Sequence, residues 1–285
     1  MSDDTIQFRA MTAEDIPAGL RLCRLARWNQ LQRDWELFLQ LSPAGCRVAV
    51  KDGQVIGTVT TVNYENIFSW IGMVLVDPAE RRQGIGARLM REALDVLKDE
   101  PLVGLDATPA GHEVYLKLGF TDECSFSRME TVVEGIATDE NNPARQMTAA
   151  DLLQVFELDR KVFGADRRLM LEWMFAGAPE LAWVLPREGN IVGYALGRHG
   201  FNFEHLGPVV AEDVQSAKQL VSAYLAEQAG KPFIIDAAHH EPEWLRWLEA
   251  AGFKQQRPFI RMFRGDAPRP GLPEKQFAIL GPEFG

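Results

Sequence analysis

The chain repeats itself. Arg9-Ala-Met11-Thr12-Ala13-Glu-Asp15 is echoed by Arg145-Gln-Met147-Thr148-Ala149-Ala-Asp151, with Met11 and Met147 136 positions apart. Asp52-Gly53-Gln-Val-Ile-Gly57 is echoed by Glu188-Gly189-Asn-Ile-Val-Gly193 at the same spacing, and Gly119-Phe120 returns as Gly252-Phe253, 133 positions on. Three echoes in one order, at a nearly constant offset, mean a duplicated domain. Whatever one half folds into, the other must also fold into. A length of 285 residues suits two domains of ordinary size. The natural division is 1–136 and 142–266, joined by a polar, acidic linker at 135–143 and followed by a proline-rich tail, 267–285, with an apolar patch at Phe277-Ala-Ile-Leu280.

Periodicity fills in each half. In the first, residues 5–10 alternate and predict a strand. Thr12-x-x-Asp15 has the form of a capping box. A helix then runs to about Trp28, and a short second one covers 34–41 before Pro43 and Gly45 break it. Runs at 46–50, 55–62 and 68–76 predict a meander, with Asp52-Gly53 as its first tight turn. A strand at 102–107, a helix at 111–118 closed by Gly119, and a strand at 120–133 follow. The second half predicts helices at 149–163, 167–176, 212–229 and 241–251, and strands at 181–185, 190–198, 204–210, 233–236 and 253–264. The fold class is α/β, an α+β arrangement on a mixed sheet, present twice.

Chemistry concentrates after the strand at 68–76. Asp77-Pro78 ends it, because proline offers no N–H to a ladder. Arg81-Arg82-Gln83-Gly84-Ile85-Gly86-Ala87 comes next, and Ile85, Leu89, Ala93 and Leu97 then form a helical stripe. Strand, glycine turn and helix together aim unpaired backbone N–H groups at an anion, and glycines let the main chain approach it closely. Three readings compete. One is an ordinary strand-to-helix turn with surface arginines. A dinucleotide fold would want Gly-x-Gly-x-x-Gly, whose third glycine is Leu89 here. The third is a pyrophosphate cradle. The second half reads Ala211-Glu-Asp-Val-Gln-Ser-Ala217 at the matching place, with no glycine pair and no arginine. Glu212 and Asp213 suit a helix N-terminus but would repel a pyrophosphate, so only the first half is expected to bind one.

The segment resembles the acyl-CoA-binding motif of the GNAT acetyltransferases, Arg/Gln-x-x-Gly-x-Gly/Ala after a Val-x-Pro strand end. The whole layout is similar to the tandem YitH-like subgroup, two GNAT-like domains with a catalytic front copy and a degenerate rear copy. The resemblance implies an N-acetyltransferase that moves an acetyl group from acetyl-CoA to a primary amine of a small molecule. It implies that backbone groups of Val74 and Val76 pair with the pantetheine arm, and that the N–H groups of Arg82, Gln83, Gly84, Ile85, Gly86 and Ala87, beside Arg81, hold the pyrophosphate. It makes Tyr115, four residues before Gly119-Phe120, the acid that protonates the leaving thiolate; phenol and thiol pKa values lie close enough for the transfer. Where the family often has an asparagine, seven residues earlier, stands Thr108, whose hydroxyl can serve. Glu65 and Asp106 are candidates for the base, beside a water chain. Two rival functions share the fold: a non-enzymatic acyl-CoA sensor, and an aminoacyl-transferring tandem enzyme, a type that lacks a sound coenzyme A loop.

Composition sets outer bounds. With 46% apolar and 25% charged residues the chain has material for real cores. A net charge of −10 argues against a nucleic-acid partner, which needs a basic stripe. The N-terminus has no leader pattern and no apolar run is long enough for a membrane span, which together predict a cytoplasmic protein without a membrane partner. Cys23, Cys46 and Cys124 lie far apart and are expected as buried free thiols. No histidine or cysteine spacing calls for a metal. His199, His205 and His239 are candidates for a substrate pocket between the halves; His112 starts the Tyr115 helix. No sequence pattern speaks to oligomeric state.

Overall fold

The computed structural model describes residues 6–133 and 141–285. The first five residues and most of the 135–143 linker lie outside them. The front half runs β1 (Gln7–Ala10), α1 (Ile16–Leu25), α2 (Gln32–Leu41), β2 (Arg47–Lys51), β3 (Gln54–Tyr64), β4 (Phe68–Val76), α3 (Ile85–Val96), β5 (Val103–Ala107), α4 (Pro109–Leu116) and β6 (Thr121–Val132). The rear half runs β7 (Arg145–Gln146), α5 (Leu152–Phe163), α6 (Arg168–Gly177), β8 (Trp183–Arg187), β9 (Asn190–Arg198), β10 (Glu204–Ala211), α7 (Val214–Ala226), β11 (Pro232–Ala238), α8 (Pro242–Ala250) and β12 (Lys254–Arg264), and the tail adds β13 (Gln276–Ala278).

The duplication reaches atomic detail. Arg9 donates to both Asp15 oxygens at 2.7 and 2.8 Å, and Asp15 also accepts from the Thr12 N–H at 2.9 Å. Arg145 donates to both Asp151 oxygens at 2.8 and 2.7 Å, and Asp151 accepts from the Thr148 N–H at 2.8 Å. Each capping carboxylate thus joins the first strand of its half to its first helix, and the arginine holds it well below the usual carboxylate range. The apolar stripe of α3 is buried as its period demands: Ile85, Leu89 and Ala93 face the sheet.

All the strands form one mixed sheet, in the order β1-β2-β3-β4-β5-β12-β6-β11-β13-β10-β9-β8-β7. The halves have exchanged their last strands. β12 of the rear half pairs antiparallel with β5 of the front, from Ile260↔Ala107 to Arg264↔Val103. β6 of the front half pairs antiparallel with β11 of the rear, from Pro232↔Val132 to Ala238↔Phe126. β6 and β12 then pair with each other, so each half closes an edge that the other would leave open. The tail enters the sheet too: β13 lies between β10 and β11, with Ala278 opposite Val209 on one side and Ala237 on the other.

Cys23 and Cys46 are buried, as expected, but Cys124 is exposed. The reason is its place on the sheet. β11 covers β6 only from Phe126 onward, so residues 121–125 meet β12 alone.

A buried chain of charges fastens the halves together. Arg198 of β9 bonds Asp34 of α2 and Glu283 of the tail. Its Nη2 is also 3.1 Å from His205 Nδ1, and His205 Nε2 is 3.0 Å from Asp236 of β11. Arg128 of β6 grips Asp236 with two bonds of 2.8 Å. Burial alone would raise the Asp236 pKa, but Arg128 and His205 hold it well below the usual range. Burial lowers the His205 pKa, so the ring is neutral near pH 7. A buried pair broken on one side leaves an uncompensated charge. Arg198→Met should therefore destabilise by about 3–5 kcal/mol, and adding Asp34→Asn should recover part of it. Urea unfolding midpoints of the two variants measure this, and a loss below about 1 kcal/mol, the scale of an exposed pair, would contradict the assignment.

Candidate active site

β4 and β5 run parallel but pair only at Ser69↔Val103 and Trp70↔Gly104, and past that point they separate. β4 also carries a bulge. Thr58 faces Leu75 while Thr60 faces Gly72, so β4 has one residue more than β3 there. Met73 sits at φ +52° in the bulge, and its carbonyl accepts from the buried Thr58 hydroxyl at 2.8 Å. A left-handed non-glycine residue costs on the order of 1 kcal/mol or more, so the surroundings must hold it. The bulge and the separation open a cleft of about 750 Å³, with Val74, Val76, Thr108 and Tyr115 on its walls.

The glycine loop closes one end of this cleft. Asp77 accepts from the Ala79 N–H at 3.0 Å and ends the strand. Arg82 (φ +65°) and Gly84 (φ +78°) then take left-handed conformations, and Gly84 is the N-cap of α3. The first amide of this turn to find a carbonyl is Arg88, which donates to Gly84 at 3.0 Å. Among the described residues, no protein acceptor meets the N–H groups of Arg82 through Ala87. A Cβ on Gly84 would meet nothing within 4 Å, so open space lies above the turn. Unpaired amides, a helix dipole and open space together fit a diphosphate. Arg81, Arg82, Gly84, Ile85, Gly86 and Ala87 line the cleft. Gln83 does not: its amide donates to Glu80 at 2.8 Å, leaving only its main chain for the cradle.

At the far end, α4 presents Tyr115. Thr108 caps the helix through its carbonyl, which accepts from Gly111 and His112, and its hydroxyl makes no cap bond. Gly111 makes room for the tyrosine, since a Cβ there would lie 2.8 Å from the ring. Gly119 at φ +85° turns the chain, and the Phe120 N–H donates back to the Tyr115 carbonyl at 3.1 Å. The Gly-Phe pair therefore fixes the tyrosine by a left-handed helix end. Among the described residues, no protein group hydrogen-bonds the Tyr115 hydroxyl, and burial pushes its pKa up to about 12. It is a proton donor, not a base, at neutral pH.

Behind the cleft, and sharing Trp28, Val74, Thr108, Tyr115 and Arg257 with it, lies an inner chamber of about 70 Å³. Its other walls come from distant parts of the chain: Arg128 on β6, Phe259 on β12, and Pro282 and Glu283 on the tail. None of these four was legible as a site residue, because only the strand exchange and the tail's course bring them here. Asp106, one of the two base candidates, does line the chamber. Burial raises its pKa to about 6, with Arg261 opposing through bonds of 2.9 Å to both oxygens. Glu65, the other, lies elsewhere: it accepts from Arg160 at 3.0 Å and from the Asp166 N–H at 2.7 Å. The histidines also find other work. His205 belongs to the buried charge chain, His239 meets the Ser127 hydroxyl at 2.9 Å, His199 lies between Glu180 and Glu204, and His112 meets Asp122 at 2.7 Å.

The rear half differs at the matching place. Asp213 caps α7 by accepting from Ser216 at 2.8 Å, so a carboxylate stands where the front half has bare amides. β13 fills the gap between β10 and β11. The offset of 133 that relates the two Gly-Phe pairs puts the buried Leu248 in the place of Tyr115.

A splayed strand pair, a bulge and a glycine turn facing a helix tyrosine define an acyltransferase of the GNAT fold. A GNAT family model matches residues 14–120 and a GNAT acetyltransferase domain model matches residues 155–278. The chain belongs to the GNAT superfamily as a tandem, YitH-like member. It is 24% identical over 265 residues to the uncharacterized N-acetyltransferase YitH of Bacillus subtilis (strain 168), covering 90% of each chain. It is 27% identical over 260 residues to the holothin acyltransferase of Pseudoalteromonas sp. (strain SANK 73390), covering 91% of this chain and 87% of that one. Two solved structures share the fold: a GCN5-related N-acetyltransferase from Sphaerobacter thermophilus (TM-score 0.69, 18% identity, 96% and 99% coverage of this chain and that one) and a tandem GNAT protein from the clavulanic acid biosynthesis pathway (TM-score 0.67, 15% identity, 93% and 99% coverage). Among the described residues, no helix is long and apolar enough to cross a membrane, and no cluster of three His, Cys, Asp or Glu side chains offers a metal site.

The cradle makes a direct prediction. Gly84→Ala puts a Cβ on a left-handed residue, costing about 1 kcal/mol in stability and displacing the amides on either side. Coenzyme A affinity by calorimetry should fall at least ~10-fold, whereas Asp213→Ala in the rear half should leave it unchanged. Equal loss in both variants would contradict the assignment of the cradle to the front half.

Proposed function

We propose that the protein transfers an acetyl group from acetyl-CoA to a primary amine of a small molecule, with the front half as the catalytic unit (residues 1–136 by sequence) and the rear half (142–266) and tail (267–285) completing the acceptor side. The observation that carries this is the co-location of the bare-amide turn and the Tyr115 hydroxyl on one cleft, joined to an inner chamber. In this reading the N–H groups of Arg82 through Ala87 and the charge of Arg81 hold the pyrophosphate. The free edge of β4 at Val74 and Val76 offers main-chain groups to the pantetheine arm, as an added strand would, and the Thr108 hydroxyl lies along its course. The thioester supplies the activated acyl group. Tyr115 then donates its proton to the departing sulfur, a transfer its high pKa allows because the phenol stays protonated across the working range. Asp106 and the solvent open to the cleft are the remaining routes for the amine's proton. The holothin acyltransferase relative widens the range of amines and acyl groups worth testing.

Two measurements test the reading. Tyr115→Phe should lower kcat by about 10²–10⁴ while the Kd for coenzyme A moves less than about twofold; turnover retained in that variant would contradict the acid role, and coenzyme A binding by the wild type without thiol release from acetyl-CoA across a panel of amines would favour an acyl-CoA sensor. Because burial pushes Tyr115 up to about 12, the wild-type rate should show no alkaline fall below about pH 10 from this residue.

A further inference from the structure

β12 carries a bulge where it passes the site. Gln255 pairs with Met129 and Arg257 with Arg128, so Gln256 is the extra residue. Such an insertion re-aims the side chains around it. Its effect here is to set Arg257 directly opposite Arg128 on the neighbouring strand. Like charges facing each other across a ladder are destabilising, and both guanidiniums are at least half-buried, where screening is weak.

The two arginines are not equally provided for. Arg128 spends Nε and Nη2 on Asp236, leaving Nη1 outside that pair. Arg257 has no carboxylate within ion-pair distance among the described residues. Its Nε and Nη2 both donate to one neutral acceptor, the Gln256 amide oxygen, at 3.1 and 2.9 Å. Burial and the nearby Arg128 both lower the Arg257 pKa, as expected for a cation short of a partner. Both side chains line the inner chamber, and Arg257 also lines the cleft beside Tyr115. On the opposite side of the charge ledger stands Glu283, in the same chamber. Burial would raise its pKa, but Arg198 outweighs that and keeps it ionised.

We propose that the acceptor is an amine that also bears a carboxylate, and that Arg257, seconded by Arg128, binds that carboxylate in the inner chamber. The proposal rests on the acetyl-transfer reading above and names its substrate class. A planar guanidinium suits a carboxylate, and a chamber of about 70 Å³ favours that small anion over a phosphoryl group. Glu283 gives the ammonium end an attractive wall. Arg257 is thus a specificity residue contributed by the rear half to the front half's reaction.

The test uses matched sets of L-amino acids, their carboxamides and their decarboxylated amines, with thiol release from acetyl-CoA as the readout. Within a set, the carboxylate member should exceed the amide in kcat/KM by at least ~10-fold. Arg257→Gln should shrink that preference to about threefold or less, and Arg257→Lys should keep part of it, while the KM for acetyl-CoA stays within about twofold. Amides and decarboxylated amines accepted as well as the acids would overturn the proposal. So would an Arg257→Gln variant that raises the KM for acetyl-CoA and leaves the acceptor preference alone, since Arg257 would then serve the nucleotide. Binding read without turnover separates this from the catalytic reading. With coenzyme A present, N-acetyl amino acids should raise the melting temperature of the wild type more than their amides do, and Arg257→Gln should abolish the difference. Loss of thiol release with that difference intact would count against the transferase reading alone; equal shifts for acid and amide would count against this one.

Discussion

The molecule depends on the pairing of β6 with β12. Each strand belongs by sequence to one half and by hydrogen bonding to both. β6 bonds β11 on its far side and β12 bonds β5. Once the exchange is made, neither half keeps a complete sheet without the other, and the two cores share one continuous surface. It also decides what the site is made of. β6 delivers Arg128 and β12 delivers Arg257 and Phe259 to a chamber whose opposite wall is β4, and Arg261 of β12 lies over the Trp70 ring of β4. The buried arginines are tolerable there because the exchange brings carboxylates with them: Asp236 for Arg128 and Asp106 for Arg261. Removing either strand would leave charges buried without partners, which is far costlier than losing an apolar contact.

Duplication followed by divergence is legible as a series of local physical substitutions. Both halves keep the arginine-to-carboxylate clip on the first helix, because it pins a strand to a helix regardless of chemistry. They differ where an anion would sit. The front half has a left-handed glycine, bare amides and open space. The rear half has an aspartate whose carboxylate accepts from the Ser216 amide. The difference continues along the strand gap. In the front half β4 and β5 part and stay apart, leaving main-chain groups on β4 without a partner. The equivalent gap in the rear half, between β10 and β11, is filled by β13, whose main chain supplies the ladder partner. Unpaired backbone groups are expensive to bury, so a gap in a sheet must be filled by something. In the rear half that something is the chain's own tail.

Much of this was readable in the sequence. The hydropathy periods give nearly every helix and strand, because one face of each is buried against a single sheet. The repeat gives the duplicated fold, and the glycine pair gives the left-handed turn that opens α3, because only a few residues tolerate φ near +78° and the helix that follows is plainly amphipathic. The Gly119-Phe120 pair marks Tyr115 through helix-end geometry. What local pattern cannot encode is which strand an edge selects. β6 pairing with its own half or with the other half would bury the same alternate residues, so the exchange leaves no trace in periodicity. Arg257 reads as one more charged residue in an edge-like strand; only the extra residue at Gln256, visible against Met129 and Arg128, shows why it is aimed inward. Glu65 misled for a similar reason. It sits in a turn next to the right strand but at the end remote from the cleft, where it binds Arg160.

The tail links these themes. Its first part closes the rear half's sheet. Its next residues cross to the front: the Pro282 carbonyl accepts from Trp70 Nε1 at 2.9 Å, and Glu283 accepts from Gln30 at 2.9 Å while bonding Arg198. Gly72, beside the β4 bulge, is needed for that approach, because a Cβ there would fall 2.7 Å from the Glu283 carbonyl oxygen. One segment therefore fills the strand gap of the rear half and sets a wall of the chamber behind the front half's cleft. That explains why a copy without the glycine turn or a counterpart of Tyr115 is still built to the full plan. Its sheet is the frame on which the tail and the exchanged strand are held, and those two pieces carry Arg257, Phe259, Pro282 and Glu283 to the chamber wall.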